Sequence, residues 1–313
     1  MRIGLKVDVD TLRGTREGVP RLLEVFARRG LRATFLFSLG PDHTGRAIRR
    51  VFRKGFVGKV QRTSVVRHYG VRTLLYGTLL PGPDIGRRAI GVLRHVKAEG
   101  HETGVHCWDH IRWQDGVGGA DASWTRREME RACNRYADVF QEPPSTHGAA
   151  GWQMNIHALR LTQQLGFEYC SDGRGRSPHW PVWRAELIRC PQFPTTLPTL
   201  DELIGTDGLT EDSVAGHLLA LTPDPDERDH VFTLHAELEG GRLCEVFEQL
   251  LDGWSAQGWT LGPVRDLRES VEPMLLPRCE TALGAVPGRT GTLLVQGNEF
   301  LGDIDDGHGS RGL

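Results

Sequence analysis

Apolar and polar residues alternate strictly at the start of the chain. Apolar side chains occupy every second position from Ile3 to Val9, which is the period of a β-strand with one buried face. The same alternation places Asp8 and Asp10 together on the opposite face, at the end of this strand. The chain is therefore predicted to begin with a strand that brings two carboxylates to one place.

Strand and helix patterns alternate along most of the remaining chain. Strands are predicted at 33–38, 102–106, 168–171, 187–190, 231–235 and 259–261, and helices at 15–30, 86–99, 125–140, 155–164, 211–221 and 244–256. Thr125 and Glu128 have capping-box spacing, which predicts the start of the third helix. This alternation predicts an α/β protein with parallel strands, arranged as a barrel or a doubly wound sheet.

The end of the chain has a different composition. Residues from 272 onward are rich in Gly and Pro, and we expect them to form an irregular tail. The predicted organisation is a single α/β domain over residues 1–271, with a basic insertion at 43–83, followed by the tail at 272–313.

The overall composition is that of an ordinary globular protein. The 313 residues are 39% hydrophobic and 25% charged, and 38 basic against 40 acidic residues give a formal net charge of −2. The composition excludes disordered, collagen-like and coiled-coil classes. The small net charge gives no global indication of nucleic-acid binding.

Cysteine usage and the first residues indicate a cellular compartment. The six cysteines form no C-x-x-C pair, which argues against a zinc ribbon and against a disulfide framework. The opening sequence MRIGLKVDVD lacks the regions of a signal peptide, and no stretch reaches the ~18 consecutive apolar residues of a membrane span. We expect a cytoplasmic protein with reduced thiols.

The insertion at 43–83 contains no acidic residue. Its nine basic residues are Arg46, Arg49, Arg50, Arg53, Lys54, Lys59, Arg62, Arg67 and Arg72. Around Phe52, apolar residues alternate with the cluster Arg49, Arg50, Arg53 and Lys54 as in a basic amphipathic helix. Such a helix can dock on an anionic membrane surface, although a solvated insertion over the fold is an equally good interpretation.

Three polar motifs follow predicted strands, where parallel α/β folds place their active sites. In the first motif, Asp8 and Asp10 would repel each other unless a cation or a proton lies between them. In the second, His106 and His110 have the i, i+4 spacing that lets two imidazoles bind one metal. Asp10 could supply a third ligand, and this donor set suits Zn²⁺ and also Mn²⁺, Co²⁺ or Ni²⁺.

The third motif is a strand that ends in His235. Beside a metal and a carboxylate base, this imidazole could serve as a general acid, although a lone histidine is more often structural. Glu237 and Glu239 are interpreted as surface residues or substrate contacts. Asp172, after another strand, could pair with Arg174 or orient groups of the site.

Two other enzyme classes fit the sequence less well. A serine hydrolase needs a nucleophile elbow such as G-x-S-x-G, which the chain lacks. A D-x-D glycosyltransferase would use the two acids to hold a metal–nucleotide, but it would not require the histidine pair.

Taken in order, the motifs Asp8-Val9-Asp10, His106-x-x-x-His110 and Leu234-His235 resemble those of the polysaccharide deacetylases, the NodB-homology family. Longer phrases resemble a bacterial subgroup of this family that deformylates a lipid-linked sugar. These phrases are KVDVDTLRGTREGVPRLLE, FSLGPD, GHETGVHCWDH, AAGW, SDGRG, TLPTLDELIG and TLHAELEG, and they span residues 6 to 240.

The resemblance implies a distorted, incomplete (β/α) barrel of about seven parallel strands. It implies that Asp8 is the catalytic base, that Asp10, His106 and His110 bind one divalent metal, and that His235 is the catalytic acid. The usual third motif of the family contains an arginine, and none occurs in the corresponding segment 147–152.

The resemblance also implies a substrate and a location. The substrate would be 4-deoxy-4-formamido-L-arabinose on undecaprenyl phosphate, and the products would be formate and the 4-amino sugar lipid that modifies lipid A in polymyxin resistance. The enzyme would lie on the cytoplasmic face of the inner membrane, where Arg13 and Arg16 could contact the phosphate or the sugar. Alternatives are an N-deacetylase of another N-acylated sugar and a non-catalytic lipid-binding module with a residual metal site.

Overall fold

The computed structural model describes residues 1–47, 72–223 and 228–302. A parallel sheet forms its centre. The strands of this sheet are β1 (Arg2–Val9), β2 (Thr34–Ser38), β3 (Glu102–Cys107), β4 (Thr146–His147), β5 (Tyr169–Cys170), β8 (His230–His235) and β9 (Thr260–Gly262). Six of them follow the order β5-β4-β3-β2-β1-β8, and β9 pairs with the first residues of β1. The sheet curls into a half-barrel, which confirms the predicted incomplete barrel.

Helices pack around this sheet, because their apolar sides are buried against the apolar side of strands such as β1. They are Val19–Arg29, Ile85–Arg88, Ile90–Ala98, His110–Gly116, Ala122–Phe140, Ile156–Gln164, Leu200–Leu203, Glu211–Ala220, Cys244–Ala256 and Val264–Glu269. Val7 of β1 packs in one core with Phe26 and Phe247, which come from two of these helices. Lys6 and Asp8 therefore point to the inside of the half-barrel, where they are also buried.

Most of the predicted elements are present, although several short elements, among them β6 (Trp180–Trp183) and the helices His110–Gly116, Leu200–Leu203 and Val264–Glu269, were not predicted. The third helix begins at Ala122 with Asp121 as its cap, because the Asp121 side chain accepts from the Trp124 amide; Thr125 is not the cap. The short strand Thr146–His147 was not predicted, since two residues carry no periodicity. The strand expected at 187–190 is shorter and starts earlier, at Glu186–Leu187.

The expectation of an irregular tail was wrong. Residues of the tail form β10 (Arg278–Gly284) and β11 (Leu293–Glu299), an antiparallel hairpin that extends a second sheet with β6 (Trp180–Trp183) and β7 (Glu186–Leu187). The hairpin forms because side chains such as Cys279, Leu293 and Leu294 are buried, while most of the Gly and Pro residues lie between or beyond the strands.

The central part of the basic insertion, residues 48–71, lies outside the described residues. The proposed docking residues Arg49, Arg50, Arg53 and Lys54 belong to this part. The described flanks combine buried Thr44 and Leu74 with the strongly exposed Leu79. In the described ranges, no helix has both the length and the apolarity that a membrane crossing requires.

Candidate active site

Strand β1 positions the two carboxylates at the carboxyl edge of the sheet. Asp8 is its penultimate residue, and its Oδ2 lies 3.4 Å from Nζ of Lys6, which points to the same face. Lys6 is fully buried and also donates a hydrogen bond of 3.1 Å to the carbonyl oxygen of Ser171. Lys6 and Asp8 thus form a buried ion pair, which fixes the position of this carboxylate.

The histidine pair approaches Asp10 from the neighbouring part of the sheet. His106 lies in β3 and His110 opens the following helix, and their rings stack with centroids 5.3 Å apart. The Nε2 atom of His106 lies 3.2 Å from Oδ1 of Asp10, and the Nε2 atom of His110 lies 3.4 Å from Oδ2. The three side chains thus converge on one point.

The surroundings of this cluster fit a metal ion. Oδ1 of Asp10 is buried without a hydrogen-bond partner among the described residues. Nδ1 of His106 lies 2.7 Å from the carbonyl oxygen of Gly148, so Nδ1 donates there and Nε2 keeps its lone pair for a metal. Two imidazoles and one carboxylate form an open donor set for a divalent cation.

Electrostatics support the same assignment. Burial by itself raises the pKa of Asp10, but His110 and His106 more than offset this and bring the pKa well below its usual range. Burial lowers the pKa of His110, which favours its neutral ring. Burial also acts to lower the pKa of His106, but Asp8 and Asp10 raise it above its usual value, so the two rings differ in their preference for the neutral form that a metal needs.

His235 ends β8, next to Asp8 in the register of the two strands. Its Nδ1 is buried without a hydrogen-bond partner in the described part of the chain, and Oδ1 of Asp201 lies 3.9 Å away. Burial lowers the pKa of His235, but the charges of Asp201 and Asp10 outweigh this effect and raise it above its usual value. A protonated imidazole at this place can act as a proton donor.

Glu237 and Glu239 are buried residues, which corrects the expectation of surface positions. One oxygen of Glu237 accepts from the amides of Asp10 and Thr11, at 3.1 and 2.8 Å, and so fixes the end of β1. Glu239 accepts from the amide of His235 at 2.7 Å. Burial raises the pKa of Glu237 to about 8 and that of Glu239 to about 7.

These side chains surround a cavity of about 230 Å³. Its lining residues include Asp8, Asp10, His106, His110, His235, Asp201, Trp152, Thr44, Leu74 and Arg289. Thr44 and Leu74 come from the flanks of the basic insertion, and Arg289 comes from the C-terminal hairpin. Two segments outside the parallel sheet therefore help to form the cavity.

The four residues predicted as substrate or supporting contacts are not among the residues that line this cavity. Arg13 pairs with Glu17, and Arg16 donates to the carbonyl oxygen of Arg88. Asp172 bonds to His147, whereas Arg174 pairs with Glu202, so the two do not form the pair considered from the sequence.

Sequence reasoning missed Lys6, Asp201 and Arg289. The sequence does single out Lys6 as a candidate site residue, because it shares a strand face with two aspartates while the opposite face is entirely apolar. Asp201 also had a usable signal, because it lies in the phrase TLPTLDELIG that carries the family resemblance. Arg289 had none, since its place at the cavity depends on how distant parts of the chain pack.

Comparison with known proteins gives a consistent result. The chain is 38% identical over 250 residues, 80% of each sequence, to a Shewanella sediminis protein named "Probable 4-deoxy-4-formamido-L-arabinose-phosphoundecaprenol deformylase". A protein of the same name from Wigglesworthia glossinidia brevipalpis is 29% identical over 90% of this chain and 98% of its own length. No model of a known protein family matches the chain.

Among solved structures, a protein assigned as a polysaccharide deacetylase from Mycobacterium smegmatis superimposes with a TM-score of 0.62 at 17% identity, covering 88% of this chain and 92% of the other. The fold is thus one that a polysaccharide deacetylase also has, and the relatives define the class of protein as a hydrolase of amide C–N bonds. The 38% identity is more specific. The chain belongs to the family of 4-deoxy-4-formamido-L-arabinose-phosphoundecaprenol deformylases.

Proposed function

We propose that the protein hydrolyses the formamide of undecaprenyl phosphate 4-deoxy-4-formamido-L-arabinose. The products are formate and undecaprenyl phosphate 4-amino-4-deoxy-L-arabinose, which serves lipid A modification and resistance to polymyxin. The observation that carries this proposal is the convergence of Asp8, the Asp10–His106–His110 cluster and His235 on one cavity, in a chain whose relatives bear the deformylase name.

We further propose that Asp10, His106 and His110 hold one divalent ion, Zn²⁺ or Mn²⁺, Co²⁺ or Ni²⁺. When bound, such an ion supplies Lewis acidity toward the formyl oxygen and lowers the pKa of water. The remaining chemistry is that of proton transfer, and the chain supplies a group for each proton.

Asp8 is the proposed general base. Its carboxylate lines the cavity beside the cluster, and Lys6 contacts one of its oxygens, which leaves the other to accept the proton of the attacking water. Oδ1 of Asp8 is buried and has no hydrogen-bond partner among the described residues, so it is the oxygen available for this step.

His235 is the proposed general acid. An amine anion is a very poor leaving group, so the sugar nitrogen must receive a proton as the C–N bond breaks. His235 lines the same cavity. Burial lowers its pKa, but the charges of the surrounding carboxylates, led by Asp201, together outweigh burial and raise the pKa above its usual value. The amine therefore leaves in neutral form.

The lipid substrate accounts for the basic insertion at 43–83. Its flanks line the cavity through Thr44 and Leu74, and the same flank exposes Leu79 and Leu80 close to Arg72 in sequence. Exposed leucines beside basic residues are typical of surfaces that lie in the membrane interface. We propose that this insertion docks the enzyme on the cytoplasmic face of the inner membrane.

The deciding experiment measures formate release from synthetic prenyl-phosphate 4-formamido-arabinose, with and without a chelator. We expect release that the chelator abolishes and added metal restores. Release of acetate from N-acetyl oligosaccharides, with no formate from the formamido lipid, would instead support a deacetylase and contradict the proposed substrate.

Docking is tested separately with the fourfold variant Arg49→Gln, Arg50→Gln, Arg53→Gln and Lys54→Gln. We expect weaker sedimentation with anionic liposomes and an unchanged turnover of a short-chain, water-soluble substrate. Unchanged binding to the liposomes would contradict the docking proposal.

A further inference from the structure

The C-terminal hairpin places a guanidinium group next to the proposed acid. Arg289 lies in the loop between β10 and β11, and it lines the catalytic cavity together with His235 and Asp201. Its Nη1 lies 3.0 Å from Oδ2 of Asp201, and its Nε donates to Glu202 at 2.7 Å. One arginine therefore spans two neighbouring carboxylates.

The conformation of the hairpin loop brings Arg289 to these carboxylates. The Arg289 amide donates to the carbonyl oxygen of Val286 at 3.1 Å, and Gly288 has a φ of 78°, as in a type II turn over Pro287 and Gly288. A Cβ atom on Gly288 would lie 2.7 Å from the carbonyl oxygen of Glu202. Only glycine permits this close approach, which seats the loop on the helix Leu200–Leu203.

Two further contacts restrict the guanidinium. Nη2 of Arg289 donates to Oγ1 of Thr199 at 3.1 Å, and its central carbon lies 4.8 Å from the centre of the buried Trp152 ring. An arginine held by an aromatic face and by several acceptors has little freedom to move. It is thus a rigid support for the carboxylate of Asp201.

Asp201 is the acid nearest to the imidazole of His235. Nδ1 of His235 is buried and lacks a hydrogen-bond partner in the described ranges, and Oδ1 of Asp201, 3.9 Å away, is an acceptor of the required charge. Asp201 sits in the first turn of a four-residue helix and is about one-third exposed. Oγ1 of Thr199 donates to Oδ1 of Asp201 at 2.6 Å, and Arg289 holds both the other oxygen of Asp201 and the Thr199 hydroxyl itself.

We propose that Arg289 is a positioning residue for the proposed acid: it holds Asp201 beside Nδ1 of His235. The proposal rests on the proposed function, because it assigns Arg289 to the same reaction. It also makes the C-terminal hairpin a part of the catalytic apparatus. The effect passes through Asp201, so Arg289 itself need not touch the substrate.

The kinetic test compares Arg289→Gln with Arg289→Lys, Asp201→Asn and the double variant Asp201→Asn/Arg289→Gln. We expect Arg289→Gln to lower kcat by roughly 30- to 100-fold while KM changes less than about threefold, and Arg289→Lys to recover part of this loss. In the Asp201→Asn background, Arg289→Gln should cause no further loss. Arg176→Ala is the control, because Arg176 is exposed and contacts the hairpin at Gly297.

A spectroscopic test does not depend on the substrate. Long-range ¹H–¹⁵N spectra of the imidazole of His235, assigned with His235→Gln, should change in the same way in Arg289→Gln and Asp201→Asn and stay unchanged in Arg176→Ala. If the wild-type protein releases no formate, the proposed function fails, and this spectrum still decides the role of Arg289.

Three results would overturn the positioning role. The first is an Arg289→Gln variant with raised KM and unchanged kcat, which would make Arg289 a substrate contact. The second is an additive loss in the double variant, and the third is a His235 spectrum that responds to Asp201→Asn but not to Arg289→Gln. If Arg289→Gln unfolds, Arg289→Lys replaces it in both tests.

Discussion

Two buried clusters of potential metal ligands lie near each other in the half-barrel, and they differ in how completely their polar atoms are hydrogen-bonded. Within residues 1–47, 72–223 and 228–302, these are Asp10–His106–His110, here the open cluster, and His147–Cys170–Asp172, here the closed cluster. Both are built on ends of parallel strands and both combine acid and imidazole. Both sets of residue types, one with two histidines and the other with a cysteine, are of the kind that can bind a metal.

Hydrogen bonding distinguishes them. In the closed cluster, one oxygen of Asp172 bonds to Nδ1 of His147 at 2.6 Å, and the other accepts from Nε2 of Gln192 at 2.9 Å. In the open cluster, Oδ1 of Asp10 has no such partner among the described residues, and the cluster lines a cavity. A buried polar atom without a partner is costly, so it is retained where it has a function.

We therefore interpret the closed cluster as structural and the open cluster as functional. The comparison shows that completeness of hydrogen bonding is a better guide to a site than the presence of ligand-type residues. The first three of the following predictions test this difference, and the fourth concerns a buried histidine outside both clusters.

The largest effect is expected from His106→Ala. Loss of one of three ligands should abolish stable metal binding, and turnover should fall by at least about a thousandfold. The matched variant in the closed cluster, His147→Asn, should keep one metal equivalent per chain. Metal content after gel filtration, measured by elemental analysis, checks both; a fully loaded His106→Ala variant would refute the ligand assignment.

Asp8→Asn separates chemistry from metal binding. Because Asp8 is the proposed base and not a ligand, the variant should bind metal normally and lose roughly 10²- to 10⁴-fold in kcat. Single-turnover formate release and metal analysis on the same sample provide the measurement. Near-normal turnover would assign the base to another group.

Asp172→Asn tests the closed cluster directly. Replacing the carboxylate disturbs a fully buried pair with His147, and we expect a loss of about 2 to 4 kcal/mol in the free energy of unfolding. The folded variant should keep its metal and most of its turnover. Urea unfolding gives the first quantity, and a large loss of metal at full stability would contradict the structural interpretation.

The smallest effect is expected in the pH dependence of stability that the buried His101 causes. Burial lowers the pKa of His101 to about 4, and its Nδ1 accepts from the Ala33 amide. Between pH 6.5 and 4 the unfolded chain binds a proton that the folded chain does not, so stability falls as the pH decreases through this range. At pH 5 this amounts to about 2 kcal/mol.

His101→Asn retains an acceptor for the Ala33 amide but cannot titrate. Its unfolding free energy should therefore depend less on pH between 7 and 5 than that of the wild type. The metal-free protein is used for both, so that proton competition at the open cluster is the same. Equal slopes would show that His101 binds its proton equally well in the folded and the unfolded chain, which contradicts the lowered pKa.

Much of the fold and of the open cluster was predictable from the sequence. The alternation around Val7 defined the strand that carries Asp8 and leads into Asp10, and the spacing of His106 and His110 predicted that their rings converge with Asp10. These signals are local, because strand and helix periods are written in adjacent residues.

The rest depends on contacts that the sequence does not encode locally. Arg289 reaches the cavity only because a hairpin loop docks on the helix that carries Asp201. Glycine and proline in this tail predicted irregular structure, yet Pro287 and Gly288 form the turn that orients Arg289. The burial of Glu237 likewise follows from tertiary packing against Thr11.

Strand β1 has parallel neighbours along both of its edges, β8 on one side and β2 with β9 on the other. Its amide protons should therefore exchange with deuterium only when the whole domain unfolds. Since Lys6 and Asp8 lie on this strand, and Asp10 directly follows it, no activity should persist beyond the denaturant concentration at which the domain unfolds. For this enzyme, exchange at β1 thus sets the upper limit of catalytic competence.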